Sequence, residues 1–309
     1  MVPPVRIGTR ASKLAVTQSG WVARRVAVAL GFDEDAAEQV APLTTISTAG
    51  DRIQDRRLIE LGGKALFTKE IELALLDGRV DLAVHSMKDV PADIAPGTVI
   101  AAVPEREDPR DAFVSAQVPR FDDLPHGARL GTASQRRQAQ ALRRRPDLAV
   151  VLLRGNVDTR LAKIAAGEVD AALLAAAGLR RLGLQAQIRE TVDPWLSPPA
   201  PGQGALAIQC READAGADWL RALHHAPTAL AVAAERGALE ALEGNCRTAI
   251  GAYSDGERLV VEALSPGGTE AWRRAETMSG LGPEAARALG ERLGREIAVE
   301  AGDRIRLGG

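Results

Sequence analysis

Two short segments of this chain recur in the same order, and this repetition constrains the fold more than any other feature. Arg6-Ile7-Gly8-Thr9 returns as Arg129-Leu130-Gly131-Thr132, and a serine placed to cap a helix follows each copy. A Gly-x-Val-Asp sequence that leads into an apolar run occurs at 78–84 and again at 167–173. Such a helix-to-strand transition is common enough to recur by chance. The shared order nevertheless favours two similarly built α/β halves, with a cleft between them.

The chain after residue 222 has a different pattern. An alanine-rich helix over 227–242 precedes three segments typical of antiparallel strands and a final helix from Pro283. A length of 309 residues suits two or three domains. We therefore predict a first domain over 1–104 plus 203–222, a second over 105–202, and a smaller α+β domain over 223–309.

Composition excludes several functional classes. Aromatic residues make up 3% of the chain, which argues against a base-stacking nucleic-acid surface. The N-terminus lacks a basic-then-apolar signal segment, and no apolar run reaches the ~18 residues of a membrane span. We expect a cytoplasmic protein without membrane or nucleic-acid partners. Two cysteines and four histidines show no metal-ligand spacing, so we expect no metal.

The polar run that ends one apolar segment is the first candidate for chemistry. Residues 81–84 predict a buried strand, and His85-Ser86-Met87-Lys88-Asp89 follows before Pro91 stops the sheet ladder. Lys88 and Asp89 alone would be typical of a solvated ion pair. Their position at a strand end, where open α/β sheets bind ligands, favours a functional pair.

A basic block lies in the second half of the repeat. Residues 129–181 contain eleven Lys or Arg and four acids. Such a block can bind nucleic acid, but it can equally hold a small polyanion. Arginines at strand ends and in first helical turns suit bidentate recognition of carboxylates or phosphates; these are Arg136, Arg137, Arg154, Arg160 and Arg180. Arg143, Arg144 and Arg145 are typical of a solvated helix face.

The two cysteines have different surroundings. Cys210 ends an apolar strand and is interpreted as a buried structural thiol. Cys246 lies in a Gly-Asn-Cys-Arg turn, where Arg247 favours the thiolate. Local features leave a free surface cysteine and a functional one equally open. A covalent anchor fits this context better than a nucleophile that turns over.

Several motifs occur together in one order. They are Ile7-Gly8-Thr9-Arg10-x-Ser12, Gly62-Gly63-Lys64-x-Leu66-Phe67, His85-Ser86-Met87-Lys88-Asp89-Val90-Pro91, residues 106–113, Gly131-Thr132-x-Ser134-x-Arg136-Arg137, residues 153–160, Ala177-Gly178-Leu179, Gly202-Gln203-Gly204-Ala205 and the Cys246 loop. These stretches span residues 6 to about 251, which is too long a match for coincidence. Through them the chain closely resembles the hydroxymethylbilane synthase (porphobilinogen deaminase) family.

The resemblance implies a fold and an activity. Two α/β domains would resemble the halves of a type II periplasmic binding protein, with a cleft between them, and a smaller C-terminal α+β domain would carry Cys246. That cysteine would bear a dipyrromethane cofactor in thioether linkage. Four porphobilinogen molecules would be added to this primer with loss of ammonia, and hydrolysis would release linear hydroxymethylbilane. The expected protein is a monomeric transferase of porphyrin and heme biosynthesis.

The resemblance also assigns roles to residues. Asp89, with Lys88, would be catalytic, because its carboxylate could stabilise the cationic azafulvene left by ammonia and shuttle protons. The expected cofactor-binding residues are Cys246, Ser86, Lys88, Asp89, Thr132, Ser134, Arg136, Arg137 and Arg160. The expected substrate-binding residues are Arg10, Ser12, Gln18, Lys64, Phe67, Arg154, Arg160, Arg180 and Gln203. Phe67 and the segment 49–65 are expected to act as a lid that excludes water.

Two departures and two rival interpretations accompany this assignment. Glu60 stands where many members carry lysine, and Asn245 replaces a glycine before the cysteine. A solute-binding module would explain a cleft and its arginines, but it leaves Asp89 and the Cys246 loop without a role. A nucleic-acid-binding protein would use the basic block, but the chain lacks aromatics and overall positive charge.

Overall fold

The computed structural model describes residues 4–52, 67–242 and 248–305. Its strands are β1 (Ile7–Thr9), β2 (Leu43–Thr45), β3 (Leu82–Ser86), β4 (Thr98–Ala102), β5 (Asp111–Ser115), β6 (Arg129–Gly131), β7 (Ala149–Val151), β8 (Ala171–Ala175), β9 (Glu190–Thr191), β10 (Leu206–Arg211), β11 (Ala249–Ser254), β12 (Arg258–Leu264) and β13 (Ala271–Thr277). Its helices are α1 (Lys13–Ala29), α2 (Ala37–Val40), α3 (Ala49–Arg52), α4 (Lys69–Leu76), α5 (Gln135–Arg144), α6 (Val157–Ala165), α7 (Ala176–Arg181), α8 (Asp218–Ala222), α9 (Ala226–Ala241) and α10 (Pro283–Ala301).

The first compact unit comprises Met1–Arg106 and Ala205–Ala229. Its sheet has the strand order β2-β1-β3-β10-β4, in which β1, β2 and β3 are parallel and β10 is antiparallel to its neighbours. The side chains of β3 and β10 are almost entirely buried, which explains why both strands read as continuous apolar runs. Val22 and Val26 of α1 lie in the core beside Ile7 and Ile208.

The second unit comprises Glu107–Gly204 and Leu230–Gly309. Its mixed sheet has the order β7-β6-β8-β5-β9, with β6, β7 and β8 parallel and β5 antiparallel to β8 and β9. This topology repeats that of the first sheet. The prediction of two similarly built α/β halves is therefore confirmed.

Packing explains why the repeated sequence keeps its glycine. A Cβ on Gly8 of β1 would lie 3.1 Å from Cγ2 of Val80, and one on Gly131 of β6 would lie 2.8 Å from Cδ2 of Leu153. Both contacts are tighter than ordinary van der Waals distance. A side chain at either position would displace an apolar neighbour that covers the strand.

A three-stranded antiparallel sheet, β11-β12-β13, lies in the same unit. Helices α9 and α10 cover it, and Leu293 and Ile297 of α10 are fully buried in their shared core with Val261. The predicted smaller α+β domain at the C-terminal end is thus confirmed. The α/β class of the rest of the chain is confirmed as well.

Two further expectations concern Cys210 and membranes. Cys210 is fully buried in β10, and burial raises the pKa of its thiol to about 11, so the structural interpretation is confirmed. Across residues 4–52, 67–242 and 248–305, each helix falls short of the length and apolar character that crossing a bilayer requires.

Candidate functional site

Asp89 follows directly from a buried strand of the first unit. After β3 the chain enters a single 3-10 turn over Met87–Asp89. The Met87 side chain is buried, its backbone N–H donates to the carbonyl of Ala205 at 3.0 Å, and Val90 N–H donates to the Met87 carbonyl at 3.1 Å. Lys88 and Asp89 remain half-buried at the surface of the unit. The anchored turn therefore presents an ammonium and a carboxylate side by side at a strand end.

Ser86 and Gln18 lie together beside this turn. Nε2 of Gln18, a buried residue of α1, donates to Oγ of Ser86 at 3.2 Å. The sequence predicted a cofactor-binding role for Ser86 and a substrate-binding role for Gln18. The structure brings these two side chains into direct contact.

The N-terminus of α1 contributes Ser12 and Arg10. Oγ of Ser12 accepts a hydrogen bond from Ala15 N–H at 3.3 Å, so the serine caps the helix as predicted. The guanidinium carbon of Arg10 lies 4.2 Å from the centre of the Phe67 ring, within cation–π distance. Lys64 and the predicted lid residues 53–65 lie outside the described residues.

A buried polar network surrounds His85 of β3, the strand that leads to Asp89. Nε2 of His85 lies 3.0 Å from Oε1 of Gln209, and Nε2 of Gln209 donates to Glu72 at 3.0 Å and to Thr98 at 2.8 Å. Glu72 also accepts from Ala95 N–H at 3.2 Å, on the segment that returns from Asp89. Burial lowers the pKa of His85 to about 4, so its imidazole is neutral at physiological pH.

The second unit brings together, at the end of β6, residues that the sequence predicted to bind an anion, and we call them the proposed anion receptor. Oγ1 of Thr132 accepts from Ser134 N–H at 3.1 Å, and Oγ of Ser134 caps α5 by accepting from Arg137 N–H at 3.4 Å. Arg136 and Arg137 then occupy the first turn of α5, as the sequence predicted. The structure brings these four residues together.

Both arginines are buried and share one carboxylate. Nη1 of Arg136 donates to Oδ2 of Asp111 at 2.7 Å, and Nη2 of Arg137 donates to Oδ1 of the same residue at 2.7 Å. Burial alone would raise the pKa of Asp111, but the two guanidinium groups outweigh it and hold that pKa far below the usual range. Asp111 is therefore ionised at any pH at which the protein works.

Gln203 belongs to the same buried cluster. Its Nε2 donates to Oδ1 of Asp111 at 2.9 Å and to the Pro109 carbonyl at 2.8 Å, and its Oε1 accepts from Arg137 at 3.3 Å. Only 1% of its surface is exposed. The side chain predicted to bind substrate is thus engaged with the receptor arginines.

The other predicted arginines lie at separate points of this unit. Strand β7 ends at Val151, so Arg154 lies three residues beyond the strand and not at its end as predicted. Nη1 of Arg154 is buried and has no hydrogen-bond partner among the described residues. Nε of Arg160 donates to the Gly155 carbonyl at 2.9 Å, and Nη2 of Arg180 lies 3.3 Å from Oδ2 of Asp108.

The cysteine loop lies outside the described residues, but the residues on both sides of it are described. Leu242, just before residues 243–247, is buried in the core of the C-terminal domain. Ala249, just after them, packs with Ala139 of α5, the helix that carries Arg136 and Arg137. Of these two flanking residues, Ala249 therefore lies against α5, whereas Leu242 lies in the core of the C-terminal domain.

Sequence reasoning assigned no role to Asp111. One signal was present in the sequence, because Asp111 directly precedes the apolar run Ala112–Val114, and the structure shows that it is buried with this run in β5. A carboxylate in such a position requires a cationic partner.

The absence of a metal site remains a prediction. The described ranges contain no group of three or more His, Cys, Asp or Glu side chains that could hold an ion.

Comparison with solved structures gives matches of low sequence identity to part of this chain. A nutrient-binding protein from Burkholderia cenocepacia bound to methionine covers 71% of this chain and 89% of its own, with 15% identity and a TM-score of 0.43. A periplasmic substrate-binding protein of an ABC transporter from Coxiella burnetii covers 75% and 96%, with 19% identity and a TM-score of 0.42.

Relatives of high sequence identity and two family matches establish the family of the chain. A porphobilinogen deaminase from Caulobacter vibrioides is 60% identical over 99% of this chain and 98% of its own length. One from Phenylobacterium zucineum is 61% identical over 99% of each. Residues 5–218 match the family described as "Porphobilinogen deaminase, dipyromethane cofactor binding domain", and residues 229–299 match its "C-terminal domain". The chain therefore belongs to the porphobilinogen deaminase family.

Proposed function

We propose that this chain is a hydroxymethylbilane synthase, a transferase that condenses four porphobilinogen molecules onto a dipyrromethane primer and then releases linear hydroxymethylbilane by hydrolysis. The observation that carries the proposal is the family match along both parts of the chain, at about 60% identity to porphobilinogen deaminases. The anchored Asp89 turn and the buried arginine pair of the described structure supply the chemistry that this activity requires.

The donors of the second unit fit the proposed primer. A dipyrromethane carries acetate and propionate groups, and guanidinium forks and hydroxyls are suitable partners for carboxylates. Nε of Arg136 is buried and has no hydrogen-bond partner in the described part of the chain. An unpaired buried donor on a cation is costly, so its protein partners do not fully satisfy the Arg136 guanidinium. We assign the primer's acidic groups to Thr132, Ser134, Arg136, Arg137 and Arg160, together with Ser86 and Lys88.

Cys246 is the proposed point of attachment. The other cysteine, Cys210, is fully buried in β10 with a raised pKa, so it is a poor nucleophile. The described residues on both sides of the Cys246 loop pack in the C-terminal domain and against α5. When bound, the dipyrromethane supplies the pyrrole carbon to which the first porphobilinogen is joined.

Asp89 is the proposed catalytic carboxylate. Cleavage of the carbon–nitrogen bond of porphobilinogen releases ammonia and leaves a cationic azafulvene. An ionised Asp89 stabilises that cation and accepts hydrogen bonds from pyrrole N–H groups, and it can take up the proton released when the new carbon–carbon bond forms. Lys88 offers the neighbouring positive charge for a carboxylate.

Substrate binding is assigned to residues of both units. In the first unit these are Arg10, Ser12, Gln18, Lys64 and the aromatic Phe67, and in the second Arg154, Arg180, Gln203 and Arg160, which is shared with the primer. The contact of Gln18 with Ser86 supports a shared role at the Asp89 turn. The buried unpaired Nη1 of Arg154 supports an anionic partner for this residue.

The remaining parts of the proposal concern organisation. We propose domain boundaries at 1–104 plus 203–222, 105–202 and 223–309. We also propose that the protein acts as a cytoplasmic monomer that needs no nucleic-acid or membrane partner.

The experiment is intact mass spectrometry of the denatured protein together with an assay of porphobilinogen consumption. The wild type should carry a surplus of two linked pyrroles. Cys246→Ser should lose both the surplus and the activity, whereas Cys210→Ala should keep the surplus. A wild type of unmodified mass with full activity would overturn the covalent primer.

A further inference from the structure

Asp111 is the one acidic side chain in direct contact with both receptor arginines among the described residues. Asp111, Arg136 and Arg137 are exposed by 3%, 4% and 6% of their surfaces. Arg137 uses two nitrogens on the same carboxylate oxygen, with Nε at 3.1 Å and Nη2 at 2.7 Å from Oδ1. Arg136 binds the other oxygen, Oδ2. One carboxylate therefore fixes the orientation of two adjacent guanidinium forks.

The charges of this cluster do not balance. Two guanidinium groups face a single carboxylate, and the other acceptors in contact with the arginines are neutral oxygens of Gln140, Gln203 and the Pro198 carbonyl. Glu262 reaches the cluster through Gln140 and its charge also acts on Arg136, but Glu262 is itself paired with Arg273. The described structure thus holds surplus positive charge where water is largely excluded.

The geometry also leaves donors for a ligand. Nη1 of Arg136 makes all of that residue's hydrogen bonds, while its buried Nε has no partner in the described ranges. On Arg137, Nε and Nη2 are occupied. Because Asp111 takes one side of each fork, the donors that remain for a ligand within the described ranges are Nη2 of Arg136 and Nη1 of Arg137, on the first turn of α5.

We propose that Asp111 is a positioning residue of the primer receptor: it holds the forks of Arg136 and Arg137 in the orientation that binds the acidic groups of the dipyrromethane. This inference rests on the proposed function. Asp111 does not touch the reacting atoms. It acts through the two arginines, by screening their mutual repulsion and by fixing their planes.

The test compares Asp111→Asn with the wild type, each alone and combined with Cys246→Ser, which removes the attachment point. Asn has the same shape as Asp and keeps one oxygen, but it loses the charge that orders both forks. Two quantities are measured: the primer-bearing fraction by intact mass, and the rise in Tm between the Cys246→Ser form and the primed form.

We expect the primer-bearing fraction to fall at least fivefold in Asp111→Asn and the primer-dependent rise in Tm to be at least halved. If Asp111 had only a structural role, Asp111→Asn would lower Tm equally with and without the primer. The primer-dependent rise in Tm would then be unchanged. An unchanged or larger rise would overturn the proposal, and a larger one would mean that Asp111 competes with the primer.

Two further variants keep the test decisive. Asp147→Asn removes the carboxylate that pairs with Arg145 at the other end of α5, and it should leave the primed fraction and the rise in Tm unchanged. If Asp111→Asn does not fold, Asp111→Glu keeps the charge but moves the carboxylate. It should fold and still be poorly primed, and full priming would overturn the proposal. A wild type without primer would instead refute the proposed function, so the two failures are distinguishable.

Discussion

Nε2 of His85 lies 3.0 Å from Oε1 of Gln209, and both side chains are buried directly behind the turn that carries Asp89. The amide nitrogen of Gln209 donates to Glu72 and Thr98, so its oxygen must be the acceptor for His85. His85 therefore carries its proton on Nε2. Burial keeps this imidazole neutral, because it outweighs the charge of Glu72 and the hydrogen bond to Gln209, both of which favour the protonated form.

Stability should depend on pH through this histidine. Burial lowers the pKa of folded His85 from 6.5 to about 4, so between these values the unfolded chain binds a proton that the folded chain does not. The contribution of the neutral, buried His85 to the free energy of unfolding is fully present above pH 6.5 and is lost as the pH falls toward 4. It amounts to about 3 kcal/mol.

The measurement is urea unfolding of the wild type and His85→Gln at a series of pH values. At pH 7.5 the variant should be the less stable protein, and the difference should shrink by roughly 2–3 kcal/mol by pH 4.5. His126→Gln, at an exposed histidine of the other unit, is the matched replacement measured in parallel. A His85→Gln difference that does not change with pH would contradict the assignment.

Replacement of Asp89 should separate chemistry from primer binding. Asp89→Asn keeps the shape of the side chain but removes the charge that stabilises the cation and accepts the proton. We expect the primer to stay attached while kcat falls by about 10²–10⁴-fold. Intact mass and steady-state kinetics on the same preparation check both statements.

Asp93 provides the matched control, since it is exposed and lies four residues farther along the same segment. Asp93→Asn should keep kcat within about twofold, as surface substitutions usually do. Near-normal turnover of Asp89→Asn would show that another group handles the cation.

Arg180 should affect substrate binding more than turnover. Its guanidinium lies 3.3 Å from Asp108, and 42% of its side chain is exposed, so it can also reach a ligand. Loss of one charge-assisted hydrogen bond of about 1.5 kcal/mol should raise KM for porphobilinogen about tenfold in Arg180→Gln, with a smaller change in kcat. Arg143→Gln, on the exposed face of α5, should leave KM unchanged. Equal KM values for both variants would remove Arg180 from the substrate site.

The sequence allowed prediction of what local pattern and short motifs encode. Ser12 and Ser134 were predicted as caps because a cap acts within one helical turn, and the paired strands followed from apolar runs repeated in order. The repeated glycines, Gly8 and Gly131, belong to the same local signal. These features need no knowledge of what lies across the sheet.

The partners of the functional groups could not be predicted in this way. Asp111 is 25 residues from Arg136 in sequence, and only the pairing of β5 beside β8 and β6 brings the two together. Gln203 is farther away in sequence, 92 residues from Asp111 and 66 from Arg137. Sequence motifs identify the charged residues of the site. They do not show which of these residues pair, because the pairing of a buried ion cluster depends on tertiary packing.

Gly251 of β11 should be irreplaceable because of the backbone that faces it. A Cβ at this position would lie 2.3 Å from the carbonyl oxygen of Pro198. The same oxygen accepts hydrogen bonds from Arg136 at 3.3 Å and from Gln140 at 2.9 Å. Gly251→Ala should therefore push the segment around Pro198 away and disturb the receptor arginine as well.

We expect Gly251→Ala to lower the free energy of unfolding by about 1–3 kcal/mol and to reduce the primer-bearing fraction. Urea unfolding and intact mass measure the two effects. Gly267→Ala is the control, because no atom lies within 4 Å of a Cβ built there and its backbone is not left-handed. Its cost should stay within about 0.5 kcal/mol, with full priming. If Gly251→Ala is destabilised but fully primed, the Pro198 carbonyl contributes to the fold without supporting the receptor, because a displaced acceptor would then leave Arg136 in its binding orientation.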